Sequence, residues 1–136
     1  MPRLSLLLLV AGCGTTAAER WDEVQGEDWL LHRIEGSPAL AGAEVSLTFG
    51  TGRLYGCAVN RYAAPYVRTD DALKIEAIGA TRKSLDKPPG VMDQEARYLK
   101  LLEQADGWKF GGGWLELRRG GTTILAFKLR ASASRS

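Results

Sequence analysis

Histidine and cysteine are the scarce residues of this chain, one and two among 136. His32 stands alone in "DWLLHRIEG". A metal site of several histidines therefore has nothing to be built from, and for His32 itself a satisfied strand histidine is a plainer expectation than a catalytic base. The cysteines, Cys13 and Cys57, have none of the paired spacing of a zinc site. No "GxSxG" elbow and no glycine-rich phosphate loop stands between a strand and a helix. No cofactor, no metal and no catalytic set is expected. Carboxylate pairs such as Asp70 and Asp71 are adjacent in a polar stretch, which marks a solvated turn better than acid–base machinery. An excess of charge is also missing: 18 basic against 16 acidic residues leave +2. Without a basic stripe, no nucleic-acid partner is expected. Finally, no apolar run approaches the roughly 20 residues that span a bilayer as a helix.

What the chain does contain is enough for one core. Its 136 residues fit one domain, and 45% apolar residues suffice to fill it. The 16 glycines favour strands and tight turns over a helix bundle. The amino terminus is organised differently. Arg3 precedes an apolar run from Leu4 to Ala11, and then come Gly12 and Cys13. This is the layout of a short secretory signal, and "VAGC" resembles a bacterial lipobox. Small residues there admit the signal peptidase, and the Cys13 thiolate takes the lipid. The expected division is a signal peptide over 1–12, a lipidated polar tether over 13–27 reaching at most about 45 to 50 Å, a domain over 28–130 and a frayed tail over 131–136. Gly14, rather than an aspartate, follows Cys13. That predicts an outer-membrane anchor facing the periplasm, with the membrane as first partner and the oligomeric state left open.

Beyond the tether, apolar residues recur with period two. "AEVSLTF" places Val45, Leu47 and Phe49 on one face of a strand. A two-residue loop at Thr51 and Gly52 sets Phe49 opposite Leu54, Leu47 opposite Gly56 and Val45 opposite Ala58. "ALKIEAI" continues the pattern with Leu73, Ile75 and Ala77. "MDQEARYLKLLEQA" breaks it: Ala96, Leu99 and Leu102 recur at helical spacing, with Tyr98 and Leu101 one residue out of step and Asp93 as a helix cap. Near the carboxyl end, a three-residue loop from Arg119 to Gly121 pairs Leu115 with Leu125 and Leu117 with Thr123. It gathers Leu115, Leu117, Leu125, Phe127 and Leu129 on one buried face and turns Glu116 and Lys128 to solvent. The fold class that follows is mainly β (α+β): a compact antiparallel β-barrel or strongly curved sheet with one amphipathic helix packed against it.

These blocks in succession, "DWLLHRIEG", "VSLTFGTGRLYGCAVNRYAAPY", "LKIEAIGATRKS", "DQEARYLKLL" and "WLELRRGGTTILAF", resemble the META domain, the family of the heat-shock lipoprotein HslJ. The resemblance runs from Trp29 to Phe127. Its most specific element is "NRYAAPY" followed at the right distance by "TRKS" and "QEARYL". It implies a noncatalytic periplasmic or outer-membrane lipoprotein in envelope stress or antibiotic tolerance, acting on a protein or envelope component. A barrel carrying a small apolar ligand is the alternative. Many members carry cysteines where this chain has Val59 and Leu85, so a thiol mechanism is not expected here. Cys57 is left as a free thiol.

The stretch Gly56 to Tyr66 is read two ways. Asn60 suits a left-handed or side-chain-bonded turn, and Pro65 restricts the backbone before it, which makes a structural corner. As a recognition surface, its contacts would be Asn60, Arg61, Tyr62 and Tyr66, joined by Arg82. Glu95 would satisfy backbone donors or pair with Arg82.

Overall fold

The computed structural model describes residues 16–130. The signal segment, Cys13 and the tail over 131–136 lie outside them. Ten strands form among these residues: β1 (Trp29–Ile34), β2 (Ser37–Pro38), β3 (Ser46–Phe49), β4 (Arg53–Cys57), β5 (Arg61–Thr69), β6 (Ala72–Ile75), β7 (Gly79–Ala80), β8 (Gly107–Gly111), β9 (Trp114–Arg119) and β10 (Thr122–Leu129). Eight of them follow one another in the order β1-β3-β4-β5-β6-β8-β9-β10, every pairing antiparallel, and β10 returns to β1. This closes a barrel and removes its open edges. The short β2 adds to β1, and β7 to β5.

Alternate residues of the barrel strands fill the interior, whereas both residues of β2 and of β7 are exposed. Trp29, Leu47, Phe49, Leu54, Leu115, Leu117, Leu125 and Phe127 have no exposed surface. The β3–β4 hairpin has the expected register, Phe49 opposite Leu54 and Leu47 opposite Gly56. Gly56 occupies an inward position where a side chain would collide: an added Cβ would lie 2.0 Å from the Ser46 carbonyl oxygen and 2.5 Å from the Tyr62 hydroxyl. The missing side chain makes room for the Tyr62 ring.

Two helices, not one, pack on the barrel. Helix α1 (Ala17–Val24) lies inside the segment expected to be a polar tether. Thr16 caps it: the hydroxyl accepts from the Glu19 N–H, and the Glu19 carboxylate accepts from the Thr16 N–H. Its buried residues are Trp21 and Val24. The Trp21 ring packs edge-on against Phe49 and Trp108, each 4.9 Å away between centroids, and beside Tyr66 at 5.9 Å. A segment that contributes a tryptophan to the core is part of the domain, not a free tether.

Helix α2 (Val91–Gln104) starts earlier than expected, with Gly90 at its cap in left-handed conformation at φ 86°. Asp93 falls in the first turn, where a carboxylate complements the helix dipole. The buried face is Val91, Glu95, Tyr98, Leu101 and Leu102, so Ala96 is exposed and Leu99 half-buried. Tyr98 packs on Tyr62 at 5.7 Å and on Phe127 at 6.3 Å between centroids. Tyr62 and Tyr66 are four residues apart on β5, so α2 and α1 pack against different rings of the same strand.

The carboxyl-terminal hairpin differs from expectation in its register. The loop is the two-residue Gly120-Gly121, both at positive φ (57° and 84°), and Thr122 pairs with Arg119. A bulge between Thr123 and Leu125 then shifts the ladder so that Leu125 faces Leu117 and Phe127 faces Leu115. One extra residue, Ile124, restores the single apolar face that an unbulged two-residue loop would have scrambled. Leu115, Leu117, Leu125 and Phe127 are buried as expected and Lys128 is exposed, whereas Leu129 is exposed and Glu116 is half-buried.

Candidate functional site

The turn between β4 and β5 places Asn60 beneath the first turns of α2. Asn60 is 3% exposed and Glu95 7%, the two buried polar residues of the described chain. The Asn60 N–H donates to Glu95 Oε2 at 2.7 Å, and its Nδ2 donates to both carboxylate oxygens at 3.0 and 3.1 Å. Nδ2 also donates to the Lys83 carbonyl at 3.1 Å. Oδ1 accepts from the Thr81 hydroxyl at 2.8 Å and from the Lys83 N–H at 2.5 Å. A backbone N–H only donates, so the orientation of the amide is fixed. One side chain thereby ties together the β4–β5 turn, the "TRKS" segment and α2. Asn60 is a side-chain-bonded corner and not a left-handed one, since the positive-φ residues other than glycine are Glu35 and Asp70.

Burial takes the two tyrosines out of the surface reading. Tyr62 is 3% exposed and Tyr66 7%. The Tyr62 hydroxyl donates to the Ser46 carbonyl at 2.5 Å and lies 2.6 Å from the Tyr98 hydroxyl. Each phenol has one proton, so Tyr98 donates to Tyr62. Tyr66 donates to the Gly50 carbonyl. Burial pushes the ionisation of Tyr62 well above its ordinary range and does the same to Tyr98. Hydroxyls that stay protonated and already donate to fixed acceptors offer no base for chemistry. Arg61 and Arg82 are the exposed members of the set. Glu95 bonds to Asn60 and forms no ion pair with Arg82.

Val59 and Leu85 line one recess of about 170 Å³ with Val91, Pro88 and the stem of Glu95. Val59 and Leu85, remote in the sequence, thus meet at one recess, whose lining also includes Glu44, Lys87 and Gln94. Cys57 is exposed and free. His32 is exposed on β1 rather than enclosed, its ring edge-on to Trp114 at 5.8 Å.

Trp114 heads a second cluster, on the outer face of β1, β9 and β10. The Arg33 guanidinium lies 5.8 Å and the Lys128 ammonium 4.6 Å from its ring centroid. Beside it runs a groove of about 180 Å³ lined by Ile124, Ala126, Thr123, Arg33, Glu35 and Glu116. Burial works to raise the ionisation of Glu116, but hydrogen bonds from Arg118 and Thr123 outweigh it and hold the carboxyl below its usual range. Its contacts are 2.8 Å to Arg118 and 2.9 Å to Thr123. Sequence reasoning missed this cluster, because Arg33 and Lys128 are far apart in the chain and meet only through barrel closure.

The META domain profile matches residues 22–132. The chain belongs to the META domain family. No curated protein matches the chain. Two solved structures share the fold of this META domain. One is an NMR structure of a protein from Burkholderia xenovorans, 21% identical, with a TM-score of 0.63 over 87% of this chain and 91% of that one. The other is a further NMR structure, 18% identical, with a TM-score of 0.64 over 85% of this chain and 96% of that one. At such identities the likeness concerns the fold alone.

Proposed function

We propose that this META domain is a noncatalytic, lipid-anchored module of the bacterial envelope. It binds a protein or envelope component through its outer surface, in stress response or antibiotic tolerance. The observation that carries this reading is the filled barrel. The inward strand positions hold Trp29, Phe49, Tyr62, Leu115 and Phe127, with Tyr98 of α2 packed on Tyr62 and Phe127, all buried, while the recesses described above open on the outside. A carrier of a small apolar ligand needs an interior cavity, so the outer surface is the better-supported place for recognition. The lipobox-like "VAGC" supports the anchor, and Gly14 after Cys13 supports the outer membrane.

Two measurements on the full chain expressed in a bacterium test the proposal. Mass spectrometry of the membrane fraction is expected to find residues 1–12 removed and lipid on Cys13. An unmodified, uncleaved amino terminus overturns the anchor. The domain from Gly14 onward, immobilised in envelope extract, is expected to retain a specific component. Retention of apolar small molecules in its place would favour the carrier.

A further inference from the structure

The outer cluster around Trp114 is built by the barrel register. Lys128 lies opposite both Leu30 on β1 and Trp114 on β9, and Ala126 lies opposite both Arg33 and Glu116. Two irregularities of the ladders flank it, one between Leu31 and Arg33 and one between Thr123 and Leu125. Bulges re-aim side chains, and here they bring Arg33 over the indole and set Ile124 into the groove floor. Ile124 and Ala126 make that floor apolar. The carboxylates on its rim are already paired, Glu35 with Arg97 at 2.6 Å and Glu116 with Arg118 at 2.8 Å. Arg33 and Lys128 form no ion pair among the described residues. The surface therefore offers an apolar slot beside two uncommitted cations stacked on one aromatic ring. Tryptophan and arginine are the residues that most often dominate binding energy at interfaces.

We propose that this groove binds an acidic, apolar-anchored segment of a partner protein. One apolar side chain of the segment rests on Ile124 and Ala126, and flanking carboxylates meet Arg33 and Lys128. The proposal rests on the reading of the domain as a binding module and names the partner chemistry of that module. Size supports it, since a space of about 150 Å³ accommodates a benzene ring and the groove measures about 180 Å³. Charge supports it too, because complementary charges around an apolar anchor fix the register and raise the association rate. A bilayer offers headgroups but no protruding side chain to fill a slot, and Trp114 is half-buried under its cations rather than projecting.

The test uses residues 14–136, which retain the whole described fold. The probe is the peptide acetyl-Asp-Glu-Leu-Phe-Glu-Asp-amide, with a control in which every acid is replaced by lysine. Binding is followed by tryptophan fluorescence and confirmed by calorimetry. The acidic peptide is expected to bind saturably and at least tenfold more tightly than the lysine control. Its affinity should fall at least tenfold between 50 and 500 mM salt. The double variant Arg33→Gln with Lys128→Gln should weaken it at least tenfold at unchanged melting temperature. Trp114→Phe should remove the fluorescence response while calorimetry still detects binding. Equal binding of the two peptides, no binding, or insensitivity to the double variant overturns the proposal. So does displacement of the acidic peptide by phosphatidylglycerol vesicles that depend on the same two cations, which would make the face a lipid contact. Capture from envelope extract separates this proposal from the reading beneath it. Capture that survives the double variant overturns the groove and leaves the binding module standing, whereas failure of the wild-type domain to capture anything counts against the module itself.

Discussion

Replacing Asn60 tests whether one buried amide holds three segments together. In Asn60→Ala the backbone N–H still reaches Glu95, but every side-chain bond to Glu95, Lys83 and Thr81 is lost. Bonds to groups that water can reach are worth about 0.5 to 1.5 kcal/mol each, and a bond to a carboxylate about 1.5 to 3. Thr81 and Lys83 are exposed, so water replaces much of what they lose. The buried Glu95 is compensated less. A cost of about 3 kcal/mol follows. Asn60→Asp keeps the acceptor for Thr81 and Lys83 but aims a second carboxylate at Glu95, where Nδ2 now sits 3.0 Å from Oε1. At an effective dielectric near 20, two charges at that distance repel by about 5 kcal/mol, so Asn60→Asp should be worse than Asn60→Ala at neutral pH. Adding Glu95→Gln to Asn60→Asp exchanges the amide and the carboxylate and should recover several kcal/mol, about 3 or more. Urea unfolding followed by circular dichroism measures all four proteins. The reasoning fails if Asn60→Ala costs under about 1 kcal/mol, if Asn60→Asp is no worse than Asn60→Ala, or if the second substitution recovers nothing.

Other expectations follow from the same contacts. Gly56→Ala should cost about 3 kcal/mol or more in denaturant midpoint analysis, because the new methyl meets a backbone carbonyl that has no rotamer to yield. Trp21→Ala should cost about 3 to 5 kcal/mol, whereas truncation of a free tether would cost nothing; thermal unfolding distinguishes the two. Cys57→Ser should leave the melting temperature unchanged, since the thiol is exposed. The depressed carboxyl of Glu116 contributes stability that is complete above the unfolded value near 4.3 and is lost as pH falls through the folded one. In acid titrations of stability, Glu116→Gln should flatten that part of the curve.

Where the residue pattern was local, the fold was legible before any coordinates. The β3–β4 register followed from Phe49, Leu47 and the Thr51-Gly52 loop alone. The carboxyl-terminal hairpin did not, because a bulge is invisible to strict period two: Ile124 is as apolar as its neighbours, and nothing in its identity marks it as the extra residue. The phase of α2 was misread because its buried face contains a carboxylate. Hydropathy assigns Glu95 to solvent, and only its bond to Asn60, 35 residues away, explains its burial. For α1 a signal was present, since Thr16 and Glu19 have capping-box spacing. Two apolar residues among charged ones looked like a linker, and their weight came from Phe49, Trp108 and Tyr66, which the sequence places elsewhere. As for the site, Asn60 and Glu95 were named from the turn and the helix start, while the Trp114 cluster needed the closing pair of β1 and β10.

Helix α1 changes how far this domain could search. With lipid on Cys13, only Gly14, Thr15 and Thr16 separate the anchor from the first helical turn, a reach of about 10 Å even fully extended. A leash of 45 to 50 Å would let a barrel sample the gap between two membranes and meet soluble partners from any side. Under the proposed lipidation, a leash of about 10 Å would hold it at the lipid surface with little freedom to turn over. Encounter would then become nearly two-dimensional: components of the same leaflet would be met at high effective concentration, while those attached across the gap would have to come to it. Lengthening the segment between Cys13 and Thr16 with glycine and serine would alter which partners are met without touching the barrel. Crosslinking before and after such an insertion would reveal whether the short leash is part of the selection.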